Sequence, residues 1–363
     1  MAYPASALAA SLPPLKQAKL TMRLGERLSY LSASATVGQS GINLVPDANG
    51  RWVDINSHQV LQEGEGSGGA GVSVFDICQF TGSRIVANQT NYLLNTVTNS
   101  ITLASHNVLQ GNGKTLDVIW ARPANFRSIK DQEEEGLRVR HITYTLDGRK
   151  FNAIRIQTNT GNGWTQSTYD LDTGLLLIQS QAVQIAGGGT GLAYMRLTSA
   201  KLLSGVPGIG TSWPAAVTRF HTYTWDVKGA GGVAGAGTIS GQTTLAYRNM
   251  RWAGAVLTTD VFAGTQAQGK QQFVAGSVGS VWMSPAFLQR LRQGQVIDAE
   301  NALQYGVAVS ALDQSTVTIT FATKTQRVDY VYNRGSGDLM AFTIASSEGL
   351  YGSGAQATFV SRG

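Results

Sequence analysis

Hydrophobic and polar positions alternate with a period of two along most of this chain, which is the pattern of β-strands. The clearest run lies between Leu137 and Ser199, where five stretches of β-branched and aromatic residues follow one another. Turn sequences rich in Asp, Asn and Gly separate them, and these residues supply the positive φ angles of hairpin turns. The run predicts an antiparallel meander with strands at 139–145, 151–158, 164–171, 175–183 and 192–199.

Helix is predicted at only two short places. Ser284 suits the N-cap, Pro285 suits the first helical position, and Gly294 suits the residue just past the last turn. A helix is therefore predicted over residues 284–294. A second helix is predicted to start at Pro123. Both helices are expected to cover a sheet.

The two helix starts belong to a longer internal likeness. Trp120 stands three residues before Pro123, and Trp282 stands three residues before Pro285. The same pair of residues thus recurs with the same spacing in both halves of the chain. The two tryptophans are expected to anchor helix to sheet.

A second mark recurs downstream of each proline. It is a tyrosine with a glycine five residues later, as in Tyr169 with Gly174 and Tyr332 with Gly337. The first tyrosine lies 46 residues after its proline, and the second lies 47 residues after its own. Two marks at nearly equal separation predict a tandem duplication.

The predicted fold class is all-β, mainly antiparallel with few short helices. The duplication predicts two related curved sheets that resemble half-barrels. The first repeat unit is placed at 18–186, a connection containing Gly and Pro at 187–214, and the second unit at 215–363. A β-sandwich and a β-barrel both fit this pattern, and it leaves open whether the units share one core.

Composition and charge exclude several classes. Hydrophobic residues make up 42% of the chain and charged residues 14%, so the chain is globular rather than disordered. The formal net charge of +6 is dispersed along the sequence, which predicts no nucleic-acid partner. No stretch approaches the roughly 18 apolar residues of a transmembrane helix.

The same composition bears on localisation. Low charge with abundant Gly, Ser, Thr, Asn and Gln favours a secreted or cell-surface β-protein. The first residues, MAYPASALAASLPPLKQ, contain neither a basic start nor a full apolar segment. A signal peptide is therefore predicted to be absent from this sequence.

Local motifs for metal or cofactor chemistry are missing. The histidines, which are His58, His106, His141 and His221, each lack another histidine two to five residues away, so no local metal-ligand motif is present and neither a metal site nor a cofactor is predicted. Cys78 lies in an apolar run and is expected to be a buried small hydrophobe.

Two glycine-rich segments invite a nucleotide-binding interpretation. Residues 66–71 match a dinucleotide-binding fingerprint by letters, but they precede a predicted strand instead of following one. This segment and residues 228–237 are both predicted to be loops. Neither is expected to hold a phosphate.

Carboxylates supply an enzymatic hypothesis. Glycoside hydrolysis needs two carboxyl groups at a set separation. Five aspartates stand at predicted strand ends: Asp170, Asp172, Asp226, Asp260 and Asp298. Turn chemistry explains Asp172 without catalysis. No catalytic residue is assigned, and the sequence favours a protein without enzymatic activity.

Aromatic residues supply a binding hypothesis, because their flat faces stack on sugar rings or line apolar cavities. Trp164 lies beside a turn and Trp213 lies in the connection, so both are candidates for exposed binding residues. Tyr223 and Trp225 share one predicted strand and complete the candidate set. The partner is expected to be a small apolar or glycan ligand, or a second copy of the chain.

The leading prediction is a secreted or cell-surface non-enzymatic β-protein with a structural or ligand-binding role. One alternative is a hydrolase of an extracellular polysaccharide that uses strand-end carboxylates. Another is a carrier of a lipid or apolar ligand, which requires a continuous apolar cavity beneath each helix.

Overall fold

A computed structural model describes most of the chain. It covers residues 15, 19–37, 44–46, 52–54, 66–95, 100–185, 188–213, 221–230, 238–300, 303–346 and 355–362. All strand pairs are antiparallel, and the two helices are one turn long, which confirms the all-β prediction.

The strands form two large sheets and one small hairpin. The first sheet contains β1 Glu26–Val37, β4 Gly66–Phe80, β5 Arg84–Asn95, β6 Ser100–Asn112, β7 Thr115–Leu116, β8 Trp120–Ala121, β9 Gln132–Glu134, β10 Leu137–Leu146, β11 Arg149–Thr160, β12 Gly163–Asp170, β13 Leu176–Ile185 and β14 Gly189–Leu202. The hairpin contains β2 Leu44–Pro46 and β3 Trp52–Asp54. The second sheet contains β15 His221–Ala230, β16 Thr238–Ala253, β17 Val256–Ala263, β18 Gln266–Val274, β19 Val296–Glu300, β20 Tyr305–Leu312, β21 Thr316–Ala322, β22 Gln326–Asn333, β23 Leu339–Ser346 and β24 Ala355–Arg362.

The predicted five-strand meander is confirmed as β10 to β14, each strand paired with the next. The turns between them use the expected chemistry. Asp147 and Gly148 both have left-handed φ angles, at +49° and +73°. Such angles match the right-handed twist of the flanking strands.

The two helices are α1, Pro123–Phe126, and α2, Pro285–Leu288. Proline takes the first helical position in both, as predicted. The prediction of a helix over 284–294 is wrong in length, because the α-helix ends at Leu288. Leu288 and Leu291 are both buried, so tertiary packing rather than helical periodicity places these residues.

The two sheets have the same strand order. The first runs β9-β10-β11-β12-β13-β14-β1-β4-β5-β6 before its two short end strands, and the second runs β19-β20-β21-β22-β23-β24-β15-β16-β17-β18. Each helix directly precedes the strand at one end of its sheet, because α1 precedes β9 and α2 precedes β19. This correspondence supports the predicted duplication, which stays a prediction, as do its boundaries. Strand β14 lies within the predicted connection 187–214.

Neither sheet closes into a barrel over the described residues. The first sheet ends at β8 and β9, and the second ends at β18 and β19. A β-barrel, one of the two architectures that the sequence pattern fits, is therefore not closed, whereas an open curved sheet is consistent with the strand order.

The two tryptophans of the repeated motif make equivalent contacts. Trp120 donates its indole N–H to the carbonyl of Thr173 at 2.9 Å, and Trp282 donates to the carbonyl of Ser336 at 3.0 Å. Each tryptophan also forms an isolated β-bridge, Trp120 with Leu175 and Trp282 with Asp338.

The tyrosines of the motif behave alike as well. Tyr169 donates its hydroxyl to the carbonyl of Val118 at 3.0 Å, and Tyr332 donates to the carbonyl of Ser280 at 3.0 Å. In both sheets the phenol thus fixes the chain just before the tryptophan, which holds the helix start against the strands.

Residues 66–71 were expected to be a loop, and this expectation is wrong. They begin strand β4 and pair with β1 as far as Val37. A Cβ atom at Gly71 would lie 2.4 Å from the carbonyl oxygen of Tyr92. The missing side chain lets β5 approach closely, which a letter pattern for phosphate binding does not reveal. Of the second glycine-rich segment, Lys228, Gly229 and Ala230 lie in β15, and residues 231–237 lie outside the described residues.

The first sheet is buried on both faces along β1. Tyr30 is fully buried in a first core that includes Trp120, and its ring packs edge-on against Phe75 at 5.5 Å between ring centroids. Leu31, the next residue, is 1% exposed and belongs to a second core, together with Val72 and Val74 of β4. This second core is built mainly by the second sheet and includes Leu288 of α2. The outer face of the first sheet therefore fills the inner face of the second, and the two sheets share a core.

Candidate functional site

A charged cluster joins the two sheets. Arg27 of β1 makes two hydrogen bonds to Asp76 of β4, with Nε at 2.5 Å and Nη2 at 2.7 Å from the carboxylate oxygens. Its Nη1 reaches across to the second sheet, 2.8 Å from Asp298 Oδ2 and 2.8 Å from the Tyr305 hydroxyl. One buried guanidinium therefore binds two carboxylates and one phenol from both sheets.

This arrangement fixes the charge state of Arg27. Burial by itself lowers the pKa of Arg27, but the charge and hydrogen bonds of Asp76, with help from Tyr305 and Asp298, raise it well above the ordinary value. The guanidinium stays charged, and both carboxylates are occupied by it. Asp76 and Asp298 are therefore engaged in ion pairs with Arg27 and are not free to act on a substrate.

Three aromatic rings pack beside the cluster. Tyr92 of β5 stacks on Tyr305 at 5.5 Å between ring centroids with an angle of 17° between planes. Phe321 of β21 lies 5.6 Å from Tyr305. The three rings belong to the second core and, together with Arg27, join the two sheets.

Two adjoining cavities open beside this junction, and we call them together the intersheet cleft. The first has a volume of about 70 Å³ and lies against the charged cluster and the aromatic stack. The second has a volume of about 140 Å³ and lies between β6 and β18. The two share four lining residues: Asn88, His106, Ser277 and Val278.

The second cavity has a neutral polar lining. Among the residues that the structure describes, no Asp, Glu, Lys or Arg lines it. The amides that line it are Asn88, Asn107, Gln271 and Gln272, and the hydroxyls are Ser277 and Ser280. Val108, Phe273 and Val278 add apolar surface.

His106 lies where the two cavities meet. Its Nδ1 is hydrogen-bonded to Thr90 Oγ1 at 3.1 Å, which orients the ring. His106 is exposed at the mouth of the cleft, and the protein atoms crowded around its ring lower the pKa of His106. The imidazole is therefore neutral at neutral pH and offers one donor and one acceptor nitrogen.

Ser280 is the buried polar group of the cleft that lacks a partner. It is 2% exposed, it lines the second cavity, and its hydroxyl has no hydrogen-bond partner among the described residues. The backbone around it is well held, because Ser280 N–H donates to the Ser277 carbonyl at 3.0 Å and Gly279 N–H donates to the Tyr332 hydroxyl at 3.0 Å. A buried hydroxyl without a partner costs about 1–3 kcal/mol. The geometry therefore favours a polar group inside the cavity.

The comparisons with known proteins add little. No protein-family model and no curated protein matches the chain. Among solved structures, the chain is similar to a single mutant of the vaccine antigen Transferrin Binding Protein B from Haemophilus parasuis, at 9% identity and a TM-score of 0.16, over 93% of this chain and 77% of that one. A double mutant of the same protein gives 9% identity and a TM-score of 0.14 over the same shares. Intact Ap-TbpB, with its N and C lobes, gives 10% identity and a TM-score of 0.14 over 93% of this chain and 78% of that one. Scores this low establish neither a shared fold nor a shared function.

Of the four aromatic residues predicted to bind a ligand, the two whose side chains the structure describes, Trp164 and Trp213, lie outside the cleft. Trp213 is 6% exposed, donates its indole N–H to the Ala255 carbonyl at 3.2 Å and packs 5.6 Å from Trp282. Its expected exposure is wrong, because the connection folds over the edge of the second core.

The other three predicted aromatic residues lie on strands of the two sheets. Trp164 is half-buried against Leu192 and Tyr194 on the first sheet. Tyr223 and Trp225 lie in β15, and their side chains are outside the described part of the chain. A ligand-binding role for these residues stays a prediction.

The predicted carboxylates are dispersed. Asp170 accepts hydrogen bonds from Thr173 within its own turn, and Asp260 accepts one from Asn249 at 2.9 Å. Asp172 is exposed, and the side chain of Asp226 lies outside the described residues. Only Asp298 of the described ones reaches the cleft, where Arg27 binds it.

The remaining titratable residues form no metal site over the described part of the chain, where no three His, Cys, Asp or Glu residues are suitably grouped. His141 Nδ1 lies 2.6 Å from Asp131 at the surface. His221 lies in β15, and His58 lies outside the described residues. Cys78 is buried at a bulge of β4, as expected, and burial raises the pKa of its thiol.

Sequence reasoning missed Ser277 and Ser280 and assigned no role to His106 or the amides of β18. Their only sequence signal is the polar run Gln271-Gln272 next to Phe273 at the end of a strand. No helix in the described residues is long and apolar enough to cross a bilayer.

Proposed function

We propose that this protein is a non-enzymatic binding protein, secreted or held at the cell surface, whose ligand occupies the intersheet cleft. The observation that supports it most directly is the 140 Å³ cavity with its neutral polar lining, and one of the lining residues, Ser280, has a buried hydroxyl that is unpartnered among the described residues. Buried polar groups are nearly always hydrogen-bonded, so an exception at a cavity wall points to a ligand.

The walls of the cleft come from two sheets that are locked together. Arg27 binds Asp298 across the junction, and Lys201 of β14 binds Glu300 of β19 at 2.5 Å. The stack of Tyr92 on Tyr305 adds a third contact. A preformed cavity loses little conformational entropy when it binds, so rigidity favours binding over a structural role for this region.

The cleft is a poor candidate for hydrolysis. A glycosidase needs one carboxylic acid and one carboxylate that are free to act. Asp76 and Asp298 lie at the cleft, but both are bound by Arg27. The hydrolase alternative therefore lacks a pair of free carboxyl groups at the cleft among the described residues.

A lipid carrier is also disfavoured. Such a carrier needs open apolar space beneath each helix. In this structure Phe126 of α1 packs against Val139 and Ile154, and Leu288 of α2 lies within the second core. Side chains already fill these places. The polar, weakly charged composition supports the proposed extracellular location.

A cleft-blocking variant tests the proposal. Val278 lines both cavities and is half-buried, so Val278→Trp fills the cleft, whereas Val296 is 64% exposed and lies outside it, so Val296→Trp is the matched control. Native mass spectrometry of protein purified from the cells that produce it is expected to show extra mass on the wild type and on Val296→Trp, and none on Val278→Trp. Equal retention by both variants, or no retained mass on the wild type, contradicts the proposal.

A further inference from the structure

We propose that the ligand of the intersheet cleft is a neutral, hydroxyl-rich molecule, and that the second cavity accepts one edge of a single sugar ring. This inference rests on the proposed function and names the class of ligand. It follows from the charge, hydrogen-bonding capacity, apolar surface and volume of the second cavity.

The charge of the lining excludes ionic ligands. No Asp, Glu, Lys or Arg among the described residues lines the second cavity. The one buried cation nearby, Arg27, is already bound by Asp76 and Asp298. An ion placed in the cavity would lose its hydration without gaining a counter-charge. Burying such an ion costs more free energy than burying any neutral polar group.

The hydrogen-bonding groups of the lining suit hydroxyls. Gln272 donates its amide N–H to the Thr258 hydroxyl at 3.1 Å, which leaves its carbonyl oxygen able to accept. The Ser280 hydroxyl both donates and accepts, and the neutral imidazole of His106 does one of each at its two nitrogens. A ligand whose every polar group both donates and accepts satisfies such a mixed set. That is the property of a sugar hydroxyl.

An apolar ligand fits the same wall poorly. It would remove water from His106 without replacing the lost hydrogen bonds, and it would leave the Ser280 hydroxyl unpaired. Sites built for hydroxyl recognition reject analogues that lack the hydroxyl, because their buried polar groups then stay unpaired.

The apolar part of the lining suits the C–H face of a sugar ring. Phe273 is half-buried, and its ring is held edge-on against Tyr247 at 5.9 Å. Val108 and Val278 continue this surface on the same cavity. A flat, fixed aromatic ring with polar groups around it is suited to stacking on sugars.

The volume of the cavity limits the ligand. With about 30 Å³ for each water molecule, 140 Å³ is room for about five waters. This is less than a whole hexose displaces, so the second cavity holds one edge of a single ring while the rest of the ring lies at its open mouth, and any larger glycan would enter by its end.

The test compares ligand classes on the full-length protein by isothermal titration calorimetry and saturation-transfer NMR. The neutral probes are the methyl α-pyranosides of glucose, galactose and mannose. Glucuronate and glucosamine are the charged probes, and cyclohexanol is the apolar probe. At least one neutral glycoside is expected to bind the wild type, and Val278→Trp is expected to abolish that binding.

Two matched variants locate the contact. Ser280→Ala is expected to weaken glycoside binding about five- to tenfold, the effect of one hydrogen bond of about 1 kcal/mol or slightly more. Thr168 of β12 also has a fully buried hydroxyl without a partner among the described residues, but it lies outside the cleft, so Thr168→Val is expected to bind like the wild type. Neither change removes a partner that the structure shows, so both variants are expected to keep the wild-type melting temperature or exceed it.

Three outcomes overturn the inference. The first is unchanged glycoside affinity in Ser280→Ala. The second is binding of only the charged or apolar probes in a manner abolished by Val278→Trp, which rejects the ligand class but leaves the proposed binding function standing. The third is no binding by any probe. The proposed binding function is then tested separately, by whether native mass spectrometry finds retained mass on the wild type.

Discussion

Gly174 and Gly337 occupy equivalent places in the two sheets, each directly beneath a backbone carbonyl. Both have left-handed φ angles, +75° and +84°. A Cβ atom at Gly174 would lie 1.8 Å from the carbonyl oxygen of Ala121, and one at Gly337 would lie 2.1 Å from that of Met283. No side chain fits at either position, so the close approach of turn to helix start requires glycine in both.

Replacement of either glycine by alanine is expected to lower the free energy of unfolding by more than about 3 kcal/mol, because backbone strain and a clash with backbone add together. Urea denaturation followed by tryptophan fluorescence measures the loss. Gly264→Ala is the control, since Gly264 has a φ of +60° but open space around it, and about 1 kcal/mol is expected there. An equal loss of unfolding free energy in all three variants would show that the close contact between glycine and backbone carbonyl does not contribute to stability.

Removal of the buried cation is expected to be costly. Arg27→Met leaves Asp76 and Asp298 without their partner, and breaking a buried pair in this way costs about 3–5 kcal/mol. Arg140→Met, which removes an exposed ion pair with Glu133, is expected to cost less than about 1 kcal/mol. Urea denaturation again provides the measurement, and similar losses for both would contradict the assigned role of Arg27.

The thiol of Cys78 is expected to resist alkylation in the folded protein. It is 2% exposed, and burial raises its pKa, so little thiolate exists at pH 8 and reagents cannot reach it. Mass spectrometry after treatment with iodoacetamide should find no adduct in buffer and one adduct in denaturing urea. Rapid labelling in buffer would place Cys78 outside the core.

The stability of the protein is expected to fall as the pH drops below about 6.5, partly because of His106. Its pKa is lowered in the folded state, so the unfolded chain binds a proton at a pH where the folded chain does not. Because the unfolded chain binds more protons, the free energy of unfolding decreases, and this decrease grows as the pH falls towards the lowered pKa of His106. Urea midpoints at pH 7 and pH 5 should therefore differ less in His106→Gln than in the wild type. An unchanged difference would mean that the ring titrates normally.

The sequence predicts those parts of the fold that depend on local chemistry. The meander from β10 to β14 follows from strict alternation and from turns such as Asp147-Gly148. The equivalent placement of Trp120 and Trp282 follows from repeated spacing, because an indole N–H and a positive-φ glycine impose the same local contact wherever they recur.

The rest depends on contacts that no local pattern contains. Arg27 and Asp298 are 271 residues apart, and their meeting requires one sheet to dock on the other. For the same reason the cleft could not be located from sequence, since His106 lies on the first sheet and Ser280 belongs to the second half of the chain. Trp213 was mistaken for an exposed residue because flanking Gly and Pro suggest a loop but do not show what the loop covers.

Strand β1 is buried on both faces, and this burial links the unfolding of the two sheets. Tyr30 and Leu31 are neighbours in the chain, yet they stabilise opposite sides of the junction. A fragment that contains only the second sheet would expose Tyr305 and Phe321 to water. We therefore expect that this fragment does not fold stably by itself. The two halves are therefore coupled in denaturation, and heat or denaturant should melt the molecule in one cooperative transition.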